Sequence, residues 1–276
     1  TEFITPPDLT RTTALILDHP EIDYLVGSVH HVDGTPIDLD RETWLQAVQN
    51  AEKGEVGSST SPSYSYRSVL VQSSPNDSSV PQNCDPDLDQ LRPFLLAYFD
   101  AQYELITTHQ PEVIGHLDLC LLYTPDVSLR SPELGQVWEK VKRNVRYVVD
   151  HGGLFEANAA AIRKGWTASY PGPDVLKVKL DSLILSLNGK ICLSDDSHGV
   201  SYIGLNYIRM KDYLESMGVG EIWYLVSSGQ KQSGDMTVGM RGRVVARRLA
   251  GDWRIHPFWA QMASAQAQTV NSHSDI

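Results

Sequence analysis

The chain is poor in cysteine. It has only Cys84, Cys120 and Cys192, and no two of them stand at CxxC spacing. An odd, unclustered set supplies neither a disulfide framework nor a zinc ribbon. Cys120 and Cys192 lie inside apolar runs and read as small core residues. Basic charge is also short: 23 Lys and Arg face 34 Asp and Glu, a formal charge of -11, which argues against a nucleic-acid surface, since that needs a clustered basic face. The one basic cluster, from Arg241-Gly242-Arg243 to Arg247-Arg248, reads as a solvated face. No apolar stretch reaches the ~20 residues needed to span a bilayer, and no signal-peptide pattern opens the chain. The expectation is therefore a reducing, cytoplasmic setting with no membrane and no nucleic-acid partner. A GxGxxG motif, a Walker-type phosphate loop and an internal repeat are all missing. What is present suffices for one large domain: 276 residues, of which 41% are hydrophobic.

Strand-like and helix-like segments alternate along the chain. Tyr24 to Val29 reads as a strand. Asp40 then caps an amphipathic helix from Arg41 to about Ala51, with Trp44, Leu45 and Val48 at helical spacing. From about 52 to 86 the composition turns to Ser, Pro, Gly and Asn. Such a segment cannot bury enough apolar surface to offset its ordering entropy and is expected to be a disordered insertion. A helix from Asp87 to about His109 follows. After it come strand Glu112 to Leu119, helix Pro132 to His151, strand Leu154 to Ala157 and helix Pro173 to Leu187. Strand Lys190 to Ser194, helix Tyr202 to Met217 and strand Glu221 to Val226 complete the series. Gly189 and Gly218 stand where helices stop. Repeated β-then-α of this kind predicts parallel strands covered by helices, an α/β fold.

Three short segments sit at the carboxyl ends of apolar strand-like runs: Gly27-Ser28-Val29-His30-His31, Gly115-His116-Leu117-Asp118 and Ser194-Asp195-Asp196-Ser197-His198. Strand ends are where parallel α/β folds gather their chemistry, because the loops beyond them can converge. His30 or His116 alone reads as a core histidine bonded to backbone. The Asp196-Ser197-His198 segment is different, since it places several polar groups in one loop after a buried strand. Buried charge without a partner costs several kcal/mol, and a cation would relieve it. Together, His30, His116, Asp196 and His198 form a candidate metal site with mixed nitrogen and oxygen ligands. His31 and Asp118 are their neighbours, in positions from which a polar group could orient a ligating ring.

In these segments, and in Val32-Asp33-Gly34 with Pro36-Ile37-Asp38, the chain resembles the histidinol-phosphatase branch of the polymerase-and-histidinol-phosphatase (PHP) family, fungal members above all. Phe155-Glu156-Ala157-Asn158, followed by Arg163-Lys164 and Tyr170-Pro171, is similar to the family segment whose arginine holds the substrate phosphate. The resemblance implies a distorted (β/α)7 TIM-like barrel in a single domain over 1–276. It also implies two or three divalent ions (zinc, manganese or iron) held by His30, His116, Asp196 and His198, with Asp196 and His198 catalytic. Arg163, with His31, would bind the substrate, a planar guanidinium suiting an oxyanion better than a point charge. The implied reaction is hydrolysis of histidinol phosphate in histidine biosynthesis by a metal-activated water. No serine nucleophile is required, since Ser28 and Ser197 lack an adjacent general base.

Family members also carry an initial His-x-His strand, a further His and a bridging Glu in a Gly-x-Glu segment. None is found in this sequence, and Thr1-Glu2-Phe3 resembles the residues just after that Glu. The expectation is a domain lacking its first strands and, taken alone, little activity. The alternatives are a PHP phosphoesterase acting on nucleotides and a non-catalytic remnant.

Overall fold

The computed structural model describes residues 6–54, 85–176 and 183–263. In chain order its longer elements are helix α1 (Pro6–Asp18), strands β1 (Val26–Gly27), β2 (His31–Val32) and β3 (Thr35–Pro36), and helices α2 (Arg41–Lys53) and α3 (Leu88–His109). Strand β4 (Val113–Ile114), helix α4 (Gly135–Asp150), strand β5 (Leu154–Asn158), and helices α5 (Ala160–Arg163) and α6 (Pro173–Leu176) come next. Strand β6 (Lys190–Ser194), helix α7 (Tyr207–Ser216), and strands β7 (Trp223–Ser227), β8 (Met236–Thr237) and β9 (Val244–Arg248) complete the described chain.

The central feature is a four-stranded parallel sheet in the order β1-β4-β5-β6. Its register aligns Gly27 with Ile114, Ile114 with Phe155, and Asn158 with Ser194. The three polar segments singled out above therefore leave the sheet from one edge, the carboxyl edge, as parallel topology requires. Gly115 makes this edge possible: a Cβ there would stand 2.4 Å from Ser28 Oγ and 3.3 Å from Glu156 Oε2, so no larger residue fits between the strand ends.

Helices α2, α3 and α4 cover one face. Trp44, Phe94, Tyr98 and Phe99 are fully buried between them, and burial of each such side chain contributes about 1.5–3 kcal/mol. Two caps set the helix starts. Asp40 Oδ1 accepts from the Thr43 N–H at 2.7 Å, and Asp87 forms a reciprocal capping box with Gln90. Asn144 joins α4 to α3, donating to the Phe99 carbonyl at 2.8 Å.

Several elements differ from the sequence reading. Strand β4 stops at Ile114 rather than Leu119: His116 takes a positive φ of 21° and the Leu119 N–H turns back to its carbonyl, starting a 3-10 turn. Helix α7 begins at Tyr207 rather than Tyr202, because Gly204 and Asn206 adopt left-handed backbone. Strand β7 lies beside β6 but hydrogen-bonds antiparallel to β9, in a separate sheet of order β7-β9-β8. Helix α1 and strands β8 and β9 have no counterpart in the reading. The inserted segment, over 55–84, and the strand-like start lie outside the described residues, as does 177–182 within the expected helix from Pro173.

The basic cluster is corrected in part. Arg241 is not solvated. Its side chain is 11% exposed and it pairs with Glu112, whose side chain is fully buried. It also donates to the carbonyls of His109 and Gln110 at 3.0 and 3.1 Å. The cause is topological: the loop from β8 to β9 returns beneath the amino end of β4, where Gly239, with a positive φ of 55°, lets the backbone pass Glu112 Oε1. Arg247 and Arg248 reach Asp235 and Glu221 instead. Cys120 is fully buried as expected. Cys192 is only partly so, because it borders a cavity of about 630 Å³ between β1 and β7, walled by Val26, Leu193, Trp223 and Phe258, with Glu156 at its side.

Candidate active site

His30 follows β1 and His116 follows β4. Neighbouring parallel strands bring the two rings edge to face, their centroids 4.7 Å apart. His30 Nδ1 lies 2.9 Å from Asp38 Oδ2. A carboxylate only accepts, so Nδ1 carries a proton and Nε2 is the nitrogen left to offer a lone pair to a ligand. The β2–β3 hairpin delivers Asp38: His31 pairs with Pro36, and the Ile37 N–H donates to the His30 carbonyl at 3.0 Å. Burial by itself would raise the Asp38 carboxyl. The His30 hydrogen bond and nearby positive charge, that of Lys164 included, outweigh it and hold Asp38 below the usual carboxylate range. The His31 ring is half-buried on this hairpin.

His116 is buried. Desolvation, aided by the nearby positive charges, lowers its pKa to about 3, so it is neutral at physiological pH. Its Nδ1 is buried with no hydrogen-bond partner among the described residues. The His116 N–H donates to Glu156 Oε2 at 2.9 Å, and the Asn158 amide donates to the same oxygen at 3.0 Å. Burial raises the Glu156 carboxyl, and these bonds oppose it. Tyr170 stands edge-on to His116, its ring 6.1 Å away and its hydroxyl buried.

Asp118 does not orient a histidine ring. Its Oδ2 accepts from the Gly172 N–H at 2.7 Å, which fixes the backbone just after Tyr170-Pro171. Burial raises this carboxyl to about 6 against the pull of that bond.

Asp196 and His198 lie beyond β6. Asp196 is half-buried in left-handed backbone with φ 49°. His198 is exposed and its Nδ1 sits 2.9 Å from the Asp196 carbonyl. The Arg163 guanidinium clamps this loop, donating to the carbonyls of Asp195 and Asp196 at 3.2 and 3.3 Å, and its face lies 4.9 Å from the Tyr202 ring centre. Of the sequence candidates, the structure therefore brings His30 and His116 into contact and ties Arg163 to the Asp196 loop. Among the described residues, no group of three or more His, Cys, Asp and Glu side chains is gathered closely enough to hold a metal ion.

The donor chemistry of the pair suits a divalent ion that prefers nitrogen. One imidazole has its Nδ1 proton fixed by a carboxylate, and the other has a buried nitrogen without a partner among the described residues. Asp38, Glu156 and Lys164 took no role in the sequence reading, although all three fall within the segments that carry the resemblance. What fixes their roles is spatial: Asp38 meets His30 only through the hairpin, and Glu156 meets His116 only across the sheet.

No family model matches the chain. Comparison with curated proteins is more informative. A protein described as "Probable histidinol-phosphatase" from Schizosaccharomyces pombe is 34% identical over 220 residues, covering 79% of this chain and 58% of the relative. This chain is a homologue of histidinol-phosphatases. The "Histidinol-phosphatase" of Saccharomyces cerevisiae is 26% identical over 261 residues, covering 87% of this chain and 64% of that protein. The chain thus spans about three fifths of the length of the histidinol-phosphatases it matches. Among the described residues, no helix is long and apolar enough to cross a membrane.

Proposed function

We propose that the protein carrying this chain is a histidinol-phosphate phosphatase, hydrolysing a phosphomonoester to histidinol and phosphate in the cytoplasm. Two matching histidinol-phosphatases support the reaction class. The observation that carries it to a site is the contact of His30 with His116 at the carboxyl edge of the parallel sheet, with Lys164 and Arg163 following the next strand. The four parallel strands with their covering helices belong, on this reading, to a PHP-type barrel forming one domain.

Two or three divalent ions, zinc, manganese or iron, would be held by His30 and His116, with Asp196 and His198 from the β6 loop. When bound, they supply Lewis-acid stabilisation of phosphoryl charge. The chain's own residues prepare that site. Asp38 fixes the tautomer of His30, burial keeps His116 neutral, and Glu156 holds the His116 backbone against the neighbouring strand. Arg163 sets the position of the Asp195-Asp196 loop with two of its five N–H groups and leaves the others for phosphate, which His31 would meet from the hairpin side.

Asp38→Asn tests this arrangement. The amide keeps the shape of the side chain but no longer forces the proton onto Nδ1 of His30. Metal affinity or turnover of the full-length protein should fall about 10–100-fold, while its melting temperature stays close to that of the parent. Metal content by elemental analysis and phosphate release from histidinol phosphate are the readouts. Unchanged values for both would remove Asp38 and His30 from the site.

A further inference from the structure

We infer that Lys164 is a second phosphate-contacting cation of this site, acting beside Arg163. Its Nζ lies 3.9 Å from Asp38 Oδ2, the same oxygen that receives His30 Nδ1. That separation is an ion pair without a hydrogen bond. Among the described residues Lys164 Nζ donates no hydrogen bond, so its three donors remain available in a side chain only 29% exposed. Asp38 Oδ2, which both Lys164 Nζ and His30 Nδ1 approach, sets the ammonium beside the histidine pair.

The backbone beneath Lys164 is pinned. The Lys164 N–H bonds to the Ala160 carbonyl at 2.9 Å, Asn158 Oδ1 accepts from the Ala160 N–H at 2.8 Å, and the Ala159 N–H reaches the Ser194 carbonyl at 2.9 Å. Arg163 and Lys164 therefore leave one rigid turn with different tasks. The planar fork of Arg163 suits the two backbone carbonyls it clamps. The compact ammonium of Lys164, held near a carboxylate but not bonded to it, suits an incoming phosphoryl oxygen. One anionic oxygen placed between Lys164 and the histidine pair would receive a charge-assisted hydrogen bond from the ammonium.

This inference rests on the phosphatase reading, and the test separates the two. Inorganic phosphate is titrated calorimetrically into the full-length protein and its Lys164→Met, Lys164→Gln and Lys164→Arg variants, and histidinol phosphate turnover is followed in parallel. Lys164→Met and Lys164→Gln should weaken phosphate binding and raise KM by about tenfold or more, with melting temperatures unchanged. Lys164→Arg should restore most of the affinity. Phosphate affinity in both neutral variants within about twofold of the parent overturns the inference, as does a parent that binds no phosphate. Lys164-dependent phosphate binding without histidinol phosphate hydrolysis would sink the phosphatase reading and leave the lysine in place. Hydrolysis with unchanged KM in the neutral variants would do the reverse.

Discussion

Replacing Arg241 with methionine should destabilise the protein by about 3–5 kcal/mol, the usual cost of leaving one partner of a buried ion pair behind. Glu112 is fully buried, and its Oε2 accepts from both Arg241 and the Leu25 N–H, the latter at 2.8 Å. Its Oε1 already lacks a hydrogen-bond partner among the described residues. Without Arg241 the carboxylate must stay charged in a dry place or take up a proton, and the carbonyls of His109 and Gln110 lose their donors as well. The loss matters for the site because Leu25 leads directly into β1 and His30. Urea unfolding of Arg241→Met measures the cost, and adding Glu112→Gln should recover part of it by removing the stranded charge. A loss below about 1 kcal/mol would show that the pair is no more than an exposed ion pair in effect.

Acid should also unfold the protein in a way that reports on His116. The folded pKa of this ring is about 3, whereas the unfolded chain titrates near 6.5. Above pH 6.5 both states hold a neutral ring and folding costs no deprotonation. As pH falls from 6.5 toward 3 the unfolded state takes the proton first, and stability is lost at up to ~1.4 kcal/mol per pH unit. Asp118 works in the other direction. Its carboxyl is raised to about 6, so the fold gains as pH drops from 6 to the unfolded value near 3.8, and the two slopes partly cancel in the parent. The clean measurement is a comparison. His116→Asn should lose stability less steeply than the parent between pH 6 and 4, by ~1.4 kcal/mol per pH unit. Parallel stability curves for the two proteins would show that His116 is protonated in the fold.

The sequence made the order of strands and helices readable wherever local chemistry decides it. Asp40 and Asp87 cap the helices that their positions announce, and the five-residue strands β5 and β6 fall where apolar runs stand. It was less informative where long-range contacts decide. Strand β9 carries Arg247 and Arg248 on a stretch that reads as a charged surface, and its pairing with β7 depends on partners more than 15 residues away. Arg241 looked solvated because nothing local shows that Glu112, over 100 residues earlier, is buried below it. The site divides the same way. His30 and His116 stood out because each follows an apolar run, and the aligned strand ends bring them together. Asp118 looked like a partner of His116 from adjacency alone, but the turn at His116 sends its carboxylate to Gly172.

Phosphate release from histidinol phosphate by the purified full-length protein, with and without a chelator, decides whether the paired histidines serve a metal-dependent phosphatase. Turnover should disappear on chelation and return with zinc, manganese or iron, and it should fall when His30 or His116 is replaced by alanine while the fold persists. Turnover that survives both chelation and loss of His30 and His116, or no turnover of histidinol phosphate under any metal, would contradict that assignment.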